Sequence, residues 1–526
     1  MAIGLIGIFL SLAILITLAY RGVSIILAAP LAALVAMVTS GMPLLATYTD
    51  IFMPAMAGFV GSYFPIFLTG AIFGALMLFS GYATDLADTI TRWLGSKRAI
   101  FATVLTSALM TYGGISVFVA VFVMFPLARE LFRVANIPRR LIPATIAHGI
   151  LTFTMTAIPG APQVQNIIPG NFFQTSTFAA PVLGIVGGTI IFILGMVWLE
   201  FRKKQLISAG EAFDDITILE KRYGRGADLG LSSGGTADDS PSGRSAPDNA
   251  GNGAESTSQV QTKTRTRCTD GEDEDIDYND EGLPVAPTTT QQTLKPRNHF
   301  LPFIPLLLVF IVNFSATQFI LPNLDWSVLE DDAFGGITLG DRAATWAVIL
   351  ALLAAIASIV LINIRNVKPL WQAFVDGSKN SLQPIFNTAS EVGYGAVIAA
   401  LAAFAIIRDG IFGLSANALV TSAISTSVIS GVTGSASGGM TIALNAFGDE
   451  LKTMATDQGI SMEVMHRITS MASGGLDSMP HNGAVITLLM VCGLSHRESY
   501  KDVFMITLVI PALVTALLTV GILFFG

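Results

Sequence analysis

Ser473-Gly-Gly-Leu-Asp-Ser-Met-Pro-His-Asn-Gly483 sets glycines, a proline, a carboxylate, an imidazole and an amide between two strongly apolar segments. Inside a bilayer, unsatisfied backbone and stray ionisable groups are costly. Such an interruption persists only where protein buries it or where it lines a polar cavity. Its presence marks a candidate substrate or ion site in a membrane-spanning chain.

The rest of the sequence supplies the membrane setting. Of 526 residues, 52% are hydrophobic and 13% charged, against roughly 25% charged in a soluble domain. Mean hydropathy is +0.65. Apolar runs near spanning length fall at 1–20, 24–41, 60–83, 99–112, 115–132, 141–158 and 178–199, then at 300–320, 343–363, 386–407, 414–432, 439–450, 466–494 and 503–525. They predict an all-α polytopic membrane protein with roughly 12 to 14 transmembrane segments. The first run lacks a basic leader and is long, so it reads as a retained helix rather than a signal peptide. Cys268 and Cys492 give neither a disulfide framework nor metal-ligand spacing. The net charge of −8 comes largely from one loop and gives no sign of a nucleic-acid partner.

That loop separates an N-terminal membrane repeat, 1–199, from a C-terminal one, 300–526. Residues 200–299 are rich in Gly, Ser, Thr, Asp and Pro and carry an acidic run from Glu272 to Asp277. This composition buries too little apolar surface to offset ordering, which predicts a disordered linker. The flanking halves look like copies. Ser62-Tyr-Phe-Pro-Ile-Phe-Leu-Thr69 aligns with Ser381-Leu-Gln-Pro-Ile-Phe-Asn-Thr388, Gly113-Gly114 with Gly438-Gly439, and Pro159 with Pro480. Basic residues orient them. Arg21, Arg92, Lys97, Arg98, Arg129, Arg133, Arg139, Arg140, Arg202, Lys203 and Lys204 all fall on one side. By the positive-inside tendency that side is cytoplasmic, and so is the loop. Segment 24–41 then runs outward and 343–363 inward, so the repeats have inverted topology. Arg408, Lys452 and Arg467 would lie toward the outside, against the trend.

Inverted repeats with interrupted helices are an architecture of secondary transporters, with substrate held near the midplane. The repeat supplies a partner for the opening segment in Thr152-Phe-Thr-Met-Thr-Ala-Ile-Pro-Gly-Ala-Pro-Gln-Val-Gln-Asn166. Neither break contains Lys or Arg, so an anion would rest on helix N-termini, whose free N–H groups favour carboxylates. Hydroxyls and amides of Thr154, Thr156, Gln163, Gln165 and Asn166 in one half, and of Ser473, Ser478 and Asn482 in the other, are candidate substrate contacts. The cluster Gly431–Gly439 reads either as close helix packing or as a site offering Ser435 and Ser437. Asp477, His481 and Glu391 are candidate coupling residues, and Glu391 faces an apolar stretch in the first half's alignment. Asp477 and His481 are proton carriers on one reading. On the other, Asp477 caps a helix entering at Ser478, and His481 bonds backbone freed by Pro480. His148, apolar on both sides, reads as a packing histidine.

Gly113-Gly-Ile-Ser-Val-Phe-Val-Ala-Val-Phe122, Ala157-Ile-Pro-Gly-Ala-Pro-Gln-Val-Gln-Asn166 and Gly475-Leu-Asp-Ser-Met-Pro-His-Asn-Gly-Ala484 together resemble the gluconate permease family of the ion-transporter superfamily. They lie closer to its short hydroxy-acid branch. The resemblance implies a proton-coupled importer of a small carboxylate, such as 3-hydroxybutyrate or gluconate, in a bacterial-type inner membrane. It also implies a homodimeric scaffold including 60–83 and 386–407, with no cofactor and no metal. Sodium coupling through Gly431–Gly439, a channel, and an intramembrane enzyme using Asp477 and His481 are the alternatives.

Overall fold

The computed structural model describes residues 2–21, 23–95, 98–115, 117–213, 300–334, 336–480 and 482–525. His481, Cys268 and nearly all of the expected linker lie outside the described residues. Every regular element among those described is helical, and the two flanks of the 214–299 stretch form one compact unit.

The first half contains α1 (Ala2–Tyr20), α2 (Ile25–Ser40), α3 (Met53–Phe79), α4 (Tyr82–Leu94), α5 (Ala99–Tyr112), α6 (Val117–Val134), α7 (Ile142–Ile150), α8 (Val164–Phe173) and α9 (Pro181–Ser208). The second half contains α10 (Phe303–Ser315), α11 (Ala343–Ile362), α12 (Val367–Ala400), α13 (Phe404–Leu414), α14 (Ala418–Thr433), α15 (Ala436–Asp457), α16 (Met462–Leu476), α17 (Gly483–Val491), α18 (His496–Phe504) and α19 (Ile510–Phe525). The order of long, short and interrupted helices recurs from one half to the other.

Among the described residues, five stretches are long and apolar enough to cross a bilayer: Leu44–Phe79, Pro181–Ser208, Phe303–Asn323, Ala343–Ile362 and His496–Phe524. Counting Leu370–Ala400 and Phe404–Leu414, bent by 90°, as one span gives a sixth. The expected 12 to 14 exceeds this because α7, α8, α16 and α17 are cut short by the breaks, and because the apolar helices Ile3–Leu18, Ile25–Ser40, Ala99–Tyr112 and Ala418–Thr433 fall short of full spanning length. This is a polytopic helical membrane protein.

α3 and α12 form the most extensive helix pair, and they run antiparallel. Gly377 of α12 meets Ile72 and Ala71, while Gly393 near its other end meets Phe52. A Cβ on Gly377 would lie 2.7 Å from the Ile72 Cα, so only glycine permits this approach. α1 packs on α2, and its buried Ser11 hydroxyl bonds Tyr394 of α12 at 2.9 Å. Two hairpins complete the frame. α5 turns into α6 through Gly114, at φ +91°, and α14 turns into α15 through Gly434, at φ +67°. Both turns need the left-handed backbone that glycine adopts without strain. A buried ion pair, Arg202 Nε to Asp502 at 2.7 Å, ties α9 to α18 and also takes the Trp198 indole N–H at 3.2 Å.

Candidate functional site

Each break lies against the hairpin turn of its own half, and one amide side chain makes the connection. In the first half, Gln163 Nε2 donates to the Thr111 carbonyl at 2.8 Å, and Tyr112 of the same turn donates to the Pro159 carbonyl at 2.8 Å. In the second, Asn482 Nδ2 donates to the Gly434 carbonyl and to the Asp477 carbonyl, both at 3.0 Å. The carbonyls after the two breaks' prolines are both held from outside. Pro159 has Tyr112, while Pro480 has a ring nitrogen of His496 at 3.0 Å. Tyr500, one turn further along α18, donates to the Ser478 carbonyl at 3.0 Å. Buried backbone freed by a helix break must find such partners.

The first break is closed on its carbonyl side. Asn313 donates to Gly160 O at 3.0 Å, Asn166 donates to Ala161 O at 3.0 Å and Thr177 O at 2.9 Å, and Gly160 N–H donates to Thr177 O at 2.9 Å. α16 of the other half presses on it. Ser470 donates to Thr156 O at 2.9 Å and Gln165 O at 3.0 Å, and Gly474 abuts the Thr156 side chain. At its downstream end α8 begins with no side-chain cap, because the preceding Gln163 has turned away to Thr111.

Arg467 enters this region from α16 and is fully buried. Its Nε and Nη2 donate to Ala179 O at 3.1 and 2.8 Å, Nη2 also donates to Thr177 O at 3.1 Å, and Nη1 donates to Asn166 Oδ1 at 2.9 Å. His466 shares Asn166 Oδ1 at 3.1 Å and bonds the Thr175 hydroxyl at 2.7 Å. The chain from Gln174 to Ala180, both in left-handed backbone, is thus gripped by one face of α16. Arg467, which the loop count set toward the outside, is thus enclosed within the helical frame rather than exposed on a loop. The sequence signal was an arginine at the start of the apolar run 466–494.

The second break has the opposite character. Asp477 is buried, and its carboxylate accepts the Ser478 hydroxyl at 3.1 Å. No helix starts at Ser478. The next helix starts at Gly483 and is capped by Asn482, whose Oδ1 accepts Val485 N–H at 2.9 Å. Glu391 of α12 reaches the hairpin turn, with its carboxylate against Ser435 and Gly438. Its Oε2 is buried without a partner, as is the Ser430 hydroxyl. Leaving a buried acceptor unpaired is costly, and a proton or cation removes that cost.

The other sequence candidates divide by what their side chains already hold. Thr154 donates to Gly149 O at 2.6 Å and Thr156 to Thr152 O at 3.3 Å, so both hydroxyls serve the local backbone. Asn166 holds Arg467 and the break. Ser473 donates to Ser470 O at 2.8 Å, and Ser435 caps α15 by accepting Gly438 N–H at 3.1 Å. Ser437 is buried two residues further on, and Gln165 is half-buried at the open start of α8. His148 is wholly buried, stacked on Phe192 and bonded to its carbonyl at 3.1 Å, in keeping with a packing role.

Paired interrupted helices in a multi-pass helical frame are an architecture of membrane transporters. The chain matches the family described as Citrate transporter over residues 12–447, and it belongs to that family. It is 40% identical, over 98% of both chains, to the uncharacterized transporter YxjC of Bacillus subtilis (strain 168). A 156-residue stretch is 26% identical to an uncharacterized transporter of Haemophilus influenzae (strain ATCC 51907 / DSM 11121 / KW20 / Rd), covering 29% of this chain and 34% of that one. These relatives are transporters rather than enzymes. The family match overturns the resemblance to gluconate permeases. The segments that carried it are glycine turns and proline breaks, which two families can share wherever backbone must be opened in a membrane.

Proposed function

We propose that the chain is a secondary active transporter that moves a small organic anion together with protons across the cell membrane. Citrate, the substrate in the family's description, is the first candidate. The observation that carries the reading is the second turn and break. They bring Glu391, with its unpartnered Oε2, into the same half-site as Asp477, on elements tied by Asn482. Buried carboxylates in a membrane protein suit reversible protonation. His481 is a third candidate of the same kind. Gln165, Ser437 and the helix starts beside them are the proposed substrate contacts with most freedom.

The two halves are read as inverted repeats. Support comes from the recurring helix order and from the antiparallel α3–α12 pair. Its register sets Pro65 opposite Pro384, the residues that the repeat makes equivalent, as a two-fold axis requires. The same reading puts residues 200–299 on the cytoplasmic side. It includes a homodimer built on α12, whose Trp371, Val375 and Leu382 are exposed. Sodium is the second candidate for the coupling ion, favoured by the unpartnered Ser430 hydroxyl near the second turn.

Labelled citrate uptake into proteoliposomes tests the proposal. An inward proton gradient in choline medium should drive saturable uptake that a protonophore abolishes. Uptake driven by a sodium gradient alone would transfer the coupling to sodium. Flux proportional to concentration without limit would indicate a channel and end the reading.

A further inference from the structure

We infer that Arg467 is the counter-charge for the transported anion, so that an arginine of the second half completes a binding site at the first half's break. The inference rests on the anion-transport reading above. It begins from a charge without an opposite. Arg467 is fully buried, yet every oxygen it holds is neutral: the carbonyls of Ala179 and Thr177 and the amide of Asn166. No carboxylate lies within ion-pair distance of it among the described residues. A guanidinium has five N–H donors, and these contacts leave one Nη1 hydrogen without an acceptor. Burying a charge without a counter-ion is among the most costly arrangements a protein adopts. The arrangement is explained if an anion arrives as part of the working cycle.

The surroundings suit that anion. A Cβ on Gly184 would touch Ala157 O, Arg467 Nε and Pro159 Cδ together, which places the guanidinium directly against the break. The ten-residue helix α8 starts at Val164 with no side-chain cap. Asn166 N–H turns back to Gln163 O at 2.9 Å, which leaves the N–H groups of Val164 and Gln165 and the helix's positive end within the turn whose Asn166 amide Arg467 holds. Thr111, whose carbonyl takes the Gln163 amide, has a buried hydroxyl with no partner. The second break offers nothing comparable. Its helix start is closed by Asn482, and among the described residues its buried ionisable groups are the acids Asp477 and Glu391. One break is therefore electropositive and the other electronegative, and anion and proton are taken at different halves.

Glu463 moderates the site. It lies one turn before Arg467 on α16, is exposed, and accepts Ala180 N–H at 3.3 Å beside the carbonyl that Arg467 holds. The test is equilibrium binding of citrate to the purified full-length chain, with trimethyl citrate as the uncharged control. Arg467→Gln should weaken citrate at least about tenfold, the size of one lost charge contact, while Arg467→Lys keeps most of the affinity. A purely structural clamp predicts instead that Lys and Gln lower thermal stability alike and leave affinity unchanged. Because Arg467→Gln also removes a donor from each of three bonded oxygens, two variants retain the arginine. Asn166→Asp sets a carboxylate on the guanidinium and should weaken citrate. Glu463→Gln, at an exposed position, removes the nearby acid and should tighten it by about two- to threefold. Citrate affinity unchanged in Glu463→Gln and in whichever of the other variants fold would overturn the inference. Wild-type protein that binds neither citrate nor any other carboxylate would instead overturn the anion-transport reading, whatever Arg467 does.

Discussion

The two breaks share a plan and differ in charge. Each is a proline-interrupted helix joined by an amide to the glycine turn of its own half, through Gln163 and Thr111 in one case and Asn482 and Gly434 in the other. At the first, the amide leaves the next helix start open and a buried arginine stands behind it. At the second, the amide side chain also caps the next helix, and buried carboxylates stand nearby. The two breaks thus share a backbone solution and differ in chemistry. On the proposed reading, the shared backbone positions two half-sites, and the side chains that differ between them select the ligand of each.

Substitutions test how far this contrast extends. The largest effect is expected from Glu391→Gln, which removes the unpartnered acid at the second turn. Proton-gradient-driven uptake in proteoliposomes should fall by an order of magnitude or more, with substrate exchange largely intact. Equal loss of both would move Glu391 into the frame of the site. Next comes Asn482→Ala, which removes two buried donors and a helix cap. Thermal unfolding in detergent should show a loss of about 2–3 kcal/mol. Gln163→Ala breaks the matching tie at a half-buried position without removing a cap, and about 1 kcal/mol is expected there. A larger loss at Gln163 than at Asn482 would reverse the reading of which break is closed. The smallest effect belongs to Thr154→Val, whose hydroxyl serves only Gly149 O. It should cost about 1 kcal/mol of stability or less and leave citrate affinity unchanged.

Much of this frame was legible in the sequence. Pro159 and Pro480 do mark interruptions, and Gly113-Gly114 and the Gly431–Gly439 cluster do lie at or beside turns. Glycine and proline act through backbone geometry, which travels with the residue wherever it falls. Glu391 announced itself as an acid without a counterpart in the other half. Arg467 was hidden because its partners, Asn166, Thr177 and Ala179, are far away along the chain and neutral. No charge pattern records a guanidinium held by carbonyls. Family membership was misread for a related reason, since the motifs reflect an architecture more than a substrate. The polar residues of the first break were visible, but several of them are bonded inward, and only geometry reveals that Thr154, Thr156 and Asn166 hold backbone carbonyls.

The separation of anion from proton is tested most directly by Asp477→Asn, with two readouts on one preparation. Citrate affinity of the purified protein should stay within about threefold of wild type, as expected when the altered group lies outside the anion's site. Proton-gradient-driven uptake in proteoliposomes should be abolished while exchange continues. Undiminished gradient-driven uptake, or a loss of citrate affinity matching the loss of transport, would contradict the account.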